Sequence, residues 1–186
     1  GMYAAIPTPF FEDESIDYAG VQTLVNYLAD QGLHGIIAGG STGEYMMMTV
    51  EERMGVITAA CEAARGRIDV VAGTGCMRAE QTIALTNYAA ECGADAALVI
   101  TPYYMIMSDD MLYDYYKEVA EKSKIGIIIY HYSLATTTTI SAQCIARLAK
   151  LDNIVGIKNT EDMDCTAKLI GLTADNDTFR VAIGYD

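Results

Sequence analysis

Seven short apolar runs recur along the chain at nearly constant spacing. Each begins 25 to 35 residues after the one before it, which leaves room for one strand, one helix and two loops per repeat. The runs are continuously apolar, as expected for parallel strands that are covered on both faces. They span residues 4–6, 35–38, 70–72, 97–100, 127–130, 155–158 and 180–183.

The segments between these runs carry helix signals. Thr49 and Glu52 have the spacing of a capping box, in which each side chain accepts a hydrogen bond from the other residue's backbone N–H, so a helix is predicted to begin there. Gly32 is placed to end the helix before the second run, because glycine readily adopts the left-handed conformation of a helix stop. The helix after the third run is predicted to have an inner face of Ile83, Asn87, Ala90 and Gly93.

This alternation predicts an α/β protein with the (β/α)8 TIM barrel fold. A doubly wound nucleotide-binding sheet would carry a GxGxxG turn after its first strand, whereas residues 7–10 here read Pro-Thr-Pro-Phe. A complete barrel has eight strands and typically about 250 residues, and this chain of 186 residues reaches only the seventh run. Residues 1–186 are therefore predicted to form a single (β/α) barrel domain, truncated after the seventh strand, whose C-terminal part is missing from this chain.

Charge and composition argue against several classes of protein. The chain has 12 Lys and Arg residues against 25 Asp and Glu, a net charge of −13, so a nucleic-acid partner is not expected. No apolar stretch reaches the roughly 18 residues of a membrane-spanning helix. Five cysteines without a CxxC pair indicate reduced thiols in a cytoplasmic protein. The two histidines, His34 and His131, lack metal-ligand spacing, so neither a metal nor another cofactor is predicted.

The chemistry of a parallel barrel takes place at the C-terminal ends of its strands. Lys158 ends the sixth run, so its amine is expected in a cavity that excludes water, where the uncharged, nucleophilic form is favoured. Tyr130 ends the neighbouring run and could relay protons. Ser41 and Thr42 follow Gly40, and their hydroxyls and backbone N–H groups could hold a carboxylate or a phosphate. Each residue alone also fits an ordinary structural role.

Together these residues resemble the dihydrodipicolinate synthase / N-acetylneuraminate lyase family, the pyruvate-dependent class I aldolases. The resemblance rests on six segments that occur in family order and at family-like spacing across nearly the whole chain. They are residues 7–10 (PTPF), 40–44 (GSTGE), 72–75 (AGTG), 101–104 (TPYY), Tyr130 and residues 156–158 (GIK).

The resemblance implies a role for each matching side chain. Lys158 would form an imine with pyruvate or another 2-oxo acid, and Tyr130 would relay protons. Ser41 and Thr42 would bind the carboxylate of that acid, with Thr42 also in the relay. The synthase branch has a tyrosine at the position of Tyr104 that reaches across a dimer interface, so a homodimer or homotetramer is expected. The predicted catalytic residues are Lys158, Tyr130, Thr42 and Tyr104, and the predicted substrate-binding residues are Ser41, Thr42, Gly40 and Gly184.

Three positions depart from the family pattern. His131 stands where asparagine is common, and Asn159 where an acidic residue is common. Ala135 stands where the synthase branch has the arginine that holds the carboxylate of aspartate semialdehyde, and alanine cannot make that bidentate contact. His131 is interpreted either as a contact to the second substrate or as a packed residue.

The sequence therefore predicts a carbon–carbon lyase or aldolase that uses a lysine Schiff base and acts on a 2-oxo acid and an aldehyde. Three alternatives stay open: a true 4-hydroxy-tetrahydrodipicolinate synthase, a catalytically inactive 2-oxo acid binding or sensor barrel, and an isomerase that uses residues 39–43 as a phosphate cradle. The expected partners are these small molecules and further copies of the chain, in the cytoplasm, with no nucleic acid and no membrane.

Overall fold

The computed structural model describes residues 1–184, and its strands coincide with the predicted runs to within one residue at each end. The strands are β1 (Tyr3–Ala5), β2 (Gly35–Ala38), β3 (Asp69–Gly73), β4 (Ala96–Ile100), β5 (Gly126–His131), β6 (Ile154–Asn159) and β7 (Arg180–Ile183). The helices are α1 (Tyr18–Asp30), α2 (Val50–Ala64), α3 (Ala79–Cys92), α4 (Asp109–Lys122), α5 (Ser133–Thr136), α6 (Ala142–Leu148) and α7 (Met163–Leu172). The strands follow one another in the sheet in the same order as along the chain, as the predicted (β/α) alternation requires.

The first of two compact units comprises residues 1–74 and 85–98. Here β1, β2, β3 and the start of β4 pair in parallel, with Ala4 opposite Ile36, Ile36 opposite Val70 and Ala72 opposite Ala97. Ile36, Val70, Ala72 and Ala97 are buried. β2, β3 and β4 contain no charged side chain after their first residue, as expected for strands that are covered on both faces, whereas Tyr3 and Ala5 of β1 are exposed.

The second unit comprises residues 75–84 and, within the described chain, residues 99–184. Here β5, β6 and β7 pair in parallel, with Tyr130 opposite Lys158 and Lys158 opposite Ala182. Ile129, which precedes Tyr130, and Ile157, which precedes Lys158, are fully buried. Isoleucine-rich runs thus form β5 and β6, and each of these strands ends in two polar residues, one on each face.

The helix boundaries confirm two predictions made from the sequence. At the start of α2, Thr49 Oγ1 accepts a hydrogen bond from the Glu52 N–H at 3.1 Å, and Glu52 Oε2 accepts one from the Thr49 N–H at 2.7 Å. Beyond the end of α1, Gly32 adopts the left-handed conformation with φ of 79°. Each helix of residues 1–184 is too short or too polar to cross a lipid bilayer.

The predicted inner face of α3 is wrong. Its buried residues are Thr82, Leu85, Thr86 and Ala89, whereas Gly93 is exposed. Polar threonines can face inward here because their hydroxyls find partners: Thr82 Oγ1 lies 2.8 Å from the Tyr115 hydroxyl, and Thr86 Oγ1 lies 2.7 Å from Thr74 Oγ1.

Candidate active site

Lys158 and Tyr130 lie side by side in the second unit. They are register partners on β6 and β5, so their side chains leave the sheet on the same face. Lys158 Nζ lies 4.1 Å from the centroid of the Tyr130 ring, a cation–π geometry. Tyr130 is buried and Lys158 is half-buried. The structure therefore brings together the predicted nucleophile and the predicted proton relay.

Gly184 lies next to the same amine. Its N–H donates a hydrogen bond to the Asn159 carbonyl at 2.9 Å, which continues the pairing of β6 and β7. A Cβ atom at this position would stand 3.1 Å from Lys158 Cε and 3.2 Å from Lys158 Nζ. The absence of a side chain at Gly184 therefore lets the backbone after β7 lie directly beside the amine.

Tyr132 belongs to this cluster, although the sequence analysis did not single it out. Its ring stacks on that of Tyr130, with centroids 6.0 Å apart and planes inclined by 24°. The signal for this contact was the i, i+2 spacing, because residues two apart on an extended chain point to the same side.

His131 and Asn159 lie on the opposite face of the same two strands. Both side chains are fully buried. His131 Nδ1 is 3.1 Å from Asn159 Oδ1, and the Ile140 N–H donates to His131 Nε2 at 3.2 Å. Burial lowers the pKa of His131 below its ordinary value of 6.5, with the Glu161 carboxylate acting in the opposite direction. Of the two interpretations of His131, the packed residue is therefore confirmed.

Glu161 joins the segments that follow β5 and β6, and the sequence analysis missed it. Its carboxylate accepts hydrogen bonds from the Ser133 N–H at 2.9 Å and from Ser133 Oγ at 2.8 Å. The Thr160 N–H donates to the His131 carbonyl at 3.0 Å. These bonds hold the two strand ends together immediately beyond Tyr130 and Lys158.

Gly40, Ser41 and Thr42 lie in the first unit, in the turn after β2. The turn is closed by a hydrogen bond of 3.0 Å from the Gly43 N–H to the Gly40 carbonyl, and Thr8 Oγ1 donates to the Gly43 carbonyl at 2.8 Å. The side chains of Ser41 and Thr42 are exposed. The turn thus presents two hydroxyls at the C-terminal end of β2, as the sequence predicted.

Tyr104 follows β4 in the second unit with its side chain extended into solvent. It is 88% exposed, and its backbone adopts a left-handed φ of 75°. Met105 and Ile106 beside it are also exposed. Left-handed backbone is uncommon for residues other than glycine and often marks functional loops.

Residues 1–184 contain no group of three or more His, Cys, Asp or Glu side chains arranged to hold a metal ion. The five cysteines are free thiols. Burial raises the pKa of Cys61 to about 12 and that of Cys144 to about 11, which disfavours the reactive thiolate at both positions.

The parallel β–α units place the chain among the (β/α)8 barrel proteins. The amine of Lys158, on a strand and beside Tyr130, makes it a candidate for the barrels that use a lysine nucleophile. The chain belongs to the dihydrodipicolinate synthetase family, whose sequence model matches residues 1–186. This membership confirms the family resemblance and the predicted barrel fold.

Relatives and solved structures agree with that assignment. The chain is 39% identical to 4-hydroxy-tetrahydrodipicolinate synthase of Methanothermobacter thermautotrophicus, covering 100% of this chain and 67% of the relative. It is 40% identical to the same-named protein of Thermodesulfovibrio yellowstonii, covering 96% of this chain and 61% of the relative.

Among solved structures, dihydrodipicolinate synthase from Aquifex aeolicus superposes with a TM-score of 0.94 at 36% identity, over 99% of this chain and 62% of that one. The chloride-inhibited enzyme from Acinetobacter baumannii, complexed with pyruvate, gives a TM-score of 0.94 at 37% identity, over 99% and 63%. The chain thus spans from 61% to 67% of the length of these four proteins.

Proposed function

We propose that this chain carries the Schiff-base lysine of a carbon–carbon lyase or aldolase that acts on pyruvate or a related 2-oxo acid. The observation that carries the proposal is the position of Lys158 Nζ at the C-terminal end of β6, 4.1 Å from the Tyr130 ring centroid and next to Gly184. The relative from Acinetobacter baumannii, solved with pyruvate, supports the choice of 2-oxo acid.

The proposed reaction begins when the uncharged amine of Lys158 attacks the keto carbon. A nitrogen–carbon bond forms, and the electron pair of the C=O π bond moves to oxygen. The oxygen takes up a proton and the nitrogen gives one up, which leaves a neutral carbinolamine. Loss of water then gives the imine. When the carbon–carbon bond breaks, the protonated imine accepts the released electron pair and becomes an enamine. When the bond forms, the enamine supplies that pair. Tyr130 is the proposed carrier of the protons that these steps require.

The proposal assigns capture of the 2-oxo acid carboxylate to Ser41 and Thr42, with Thr42 also in the proton relay. Their exposed hydroxyls at the end of β2 support this assignment, because hydroxyls and backbone N–H groups of a turn bind anions. Gly40 and Gly184 are proposed as substrate contacts that no side chain obstructs.

Tyr104 is proposed to act from one protomer on the site of another. A tyrosine that is 88% exposed beside exposed Met105 and Ile106 fits a residue that is covered only in an oligomer. The proposed assembly is therefore a homodimer or a homotetramer built from dimers. The five free thiols fit the proposed cytoplasmic location.

A true 4-hydroxy-tetrahydrodipicolinate synthase is the second candidate, because the two relatives above carry that name. Against it stands Ala135, since residues 132–139 contain no cation that could hold the carboxylate of aspartate semialdehyde. Condensation of that aldehyde with pyruvate by the full-length protein would favour this candidate over an aldolase for uncharged aldehydes.

The proposed nucleophile is tested by trapping. Full-length protein incubated with pyruvate and sodium borohydride is expected to gain one reduced pyruvate adduct, and peptide mass spectrometry is expected to place it on Lys158. Borohydride also reduces the ketone of free pyruvate, but only reduction of the imine leaves the acid bonded to the protein, so the adduct reports the covalent intermediate. Lys158→Ala and Lys158→Arg are expected to lose it, because alanine has no amine and the guanidinium of arginine stays protonated.

Lys168→Ala is the matched control, because this lysine lies on α7 within the same unit and is exposed. It is expected to retain the adduct in full. A folded wild-type protein that binds pyruvate but gives no adduct would instead identify a 2-oxo acid binding barrel.

A further inference from the structure

Two of the departures from the family pattern are hydrogen-bonded to each other directly behind the proposed reactive pair. His131 follows Tyr130 on β5, Asn159 follows Lys158 on β6, and the two are register partners. Successive side chains of a strand alternate between its faces, so this pair points away from Lys158 and Tyr130. His131 and Asn159 are each 0% exposed. The contact was not foreseeable from either residue taken alone.

Two groups face His131 Nε2: the Ile140 N–H at 3.2 Å and Oε1 of the Glu161 carboxylate at 3.7 Å. The carboxylate oxygen is beyond hydrogen-bond distance, whereas the Ile140 N–H is a donor only, so His131 Nε2 offers it a lone pair. The proton of a neutral imidazole then sits on Nδ1 and is donated to Asn159 Oδ1 at 3.1 Å. If both ring nitrogens were protonated, the Nε2–H of His131 would face the Ile140 N–H, and two donors cannot form a hydrogen bond.

The chain of hydrogen bonds continues beyond Asn159. Asn159 Nδ2 donates to Thr166 Oγ1 at 2.9 Å, and the Thr166 hydroxyl donates to the Asp162 carbonyl at 3.0 Å. Thr166 is itself buried. The network therefore runs from the segment before α6, across β5 and β6, to the first turn of α7. Successive buried hydrogen bonds of this kind hold their members in one arrangement.

We propose that the His131–Asn159 pair positions the nucleophile, by fixing the backbone of β5 and β6 at the residues that follow Tyr130 and Lys158. The pair thereby sets the direction from which the Lys158 amine meets the keto carbon. Because its side chains occupy the opposite face, these are positioning residues and not catalytic ones. The proposal rests on the proposed function, since it takes Lys158 as the nucleophile. Displacing a reacting group by about 1 Å can cost on the order of a hundredfold in rate.

The test measures the rate of borohydride-trapped adduct formation in the full-length protein over a range of pyruvate concentrations. His131→Leu removes both hydrogen bonds, and its maximal trapping rate is expected to fall by about tenfold to a hundredfold. The half-saturating pyruvate concentration is expected to change by less than about threefold, because carboxylate capture is assigned to other residues. His131→Asn keeps a side-chain N–H toward Asn159 and is expected to recover most of the rate.

The control is the other histidine of the chain. His34 is exposed and lies before β2, so His34→Asn is expected to leave the trapping rate unchanged. Thermal unfolding of each variant establishes that it is folded. A folded His131→Leu protein that traps pyruvate at the wild-type rate would show that the His131–Asn159 pair only packs the core and does not position Lys158. A wild-type protein that forms no adduct would refute the proposed function itself.

A second measurement needs no variant of His131. Imidazole ¹⁵N chemical shifts of the wild-type protein are expected to show a protonated Nδ1 and an unprotonated Nε2 for the buried histidine. The opposite tautomer, or a rapidly exchanging ring, would overturn the network and with it the positioning role. Thr166→Val removes the acceptor of Asn159 Nδ2 with little change of shape, and a loss of about threefold or more in trapping rate is expected. An unchanged rate in this variant would also count against the proposal.

Discussion

At the scale of single residues, Gly184 adjoins the Lys158 amine at a position with no room for a side chain. A Cβ there would lie 2.3 Å from Thr160 Cγ2, far inside contact distance, and 3.2 Å from Lys158 Nζ. Gly184→Ala is therefore expected to displace Thr160 or the end of β7 and to crowd the amine. We expect its rate of pyruvate trapping to fall by about tenfold or more.

Gly171→Ala provides the matched control for this substitution. A Cβ at Gly171, near the C-terminal end of α7, meets no atom within 4 Å, so the trapping rate should stay at the wild-type value. Equal rates for the two alanine variants would contradict the assignment of Gly184 to the site.

The sequence could predict Lys158 and Tyr130 as neighbours because both end apolar runs, and the C-terminal ends of parallel strands share one edge. It could not predict the His131–Asn159 bond. Each residue departs from the family pattern, but only the register of β5 against β6 shows that the two side chains meet. The roles assigned to Ser41, Thr42 and Tyr104 stay predictions.

At the scale of secondary-structure elements, the start of α2 offers a direct test of how local sequence fixes a boundary. Thr49 and Glu52 satisfy two backbone N–H groups that the helix itself leaves unpaired. Thr49→Ala is expected to lower the free energy of unfolding by about 1 kcal/mol. Urea denaturation of the full-length protein measures the change.

Thr23→Ala tests the same chemical change inside a helix. The exposed Thr23 Oγ1 bonds to the Ala19 carbonyl one turn back in α1, and such bonds do little for helix stability. This variant is expected to be as stable as the wild type or slightly more so, because alanine is the better helix former. A Thr49→Ala protein no less stable than Thr23→Ala would contradict the capping assignment.

The inner face of α3 shows where element-level prediction fails. Apolar periodicity assumes that buried positions are apolar, but Thr82 and Thr86 are buried with their hydroxyls paired. Their partners, Tyr115 and Thr74, are 33 and 12 residues away in the sequence. A pattern read within one helix carries no information about such partners.

At the scale of the whole molecule, strand order was predictable because one spacing repeats along the entire chain and each run is apolar on both faces. The hydrogen bonds between the loops could not be predicted. Glu161 and Ser133 are 28 residues apart, and no periodicity connects them. That residues 1–186 form a single barrel domain also stays a prediction.

The stability of the whole molecule should depend on pH through His131. Its pKa lies below the ordinary value of 6.5 because burial disfavours the charged imidazolium, an effect that the Glu161 carboxylate and the hydrogen bond to Asn159 oppose. As pH falls through about 6.5, the unfolded chain takes up this proton first, so the free energy of unfolding decreases, by at most about 1.4 kcal/mol per pH unit from this group. Above that pH the contribution of the neutral histidine is complete. Urea denaturation between pH about 7.5 and about 5.5 measures the slope, and His131→Asn, which cannot titrate, isolates it from the slopes of the carboxylates. Identical slopes in the two proteins would mean that folding leaves the proton affinity of His131 unchanged, contrary to its complete burial between Asn159 and the Ile140 N–H.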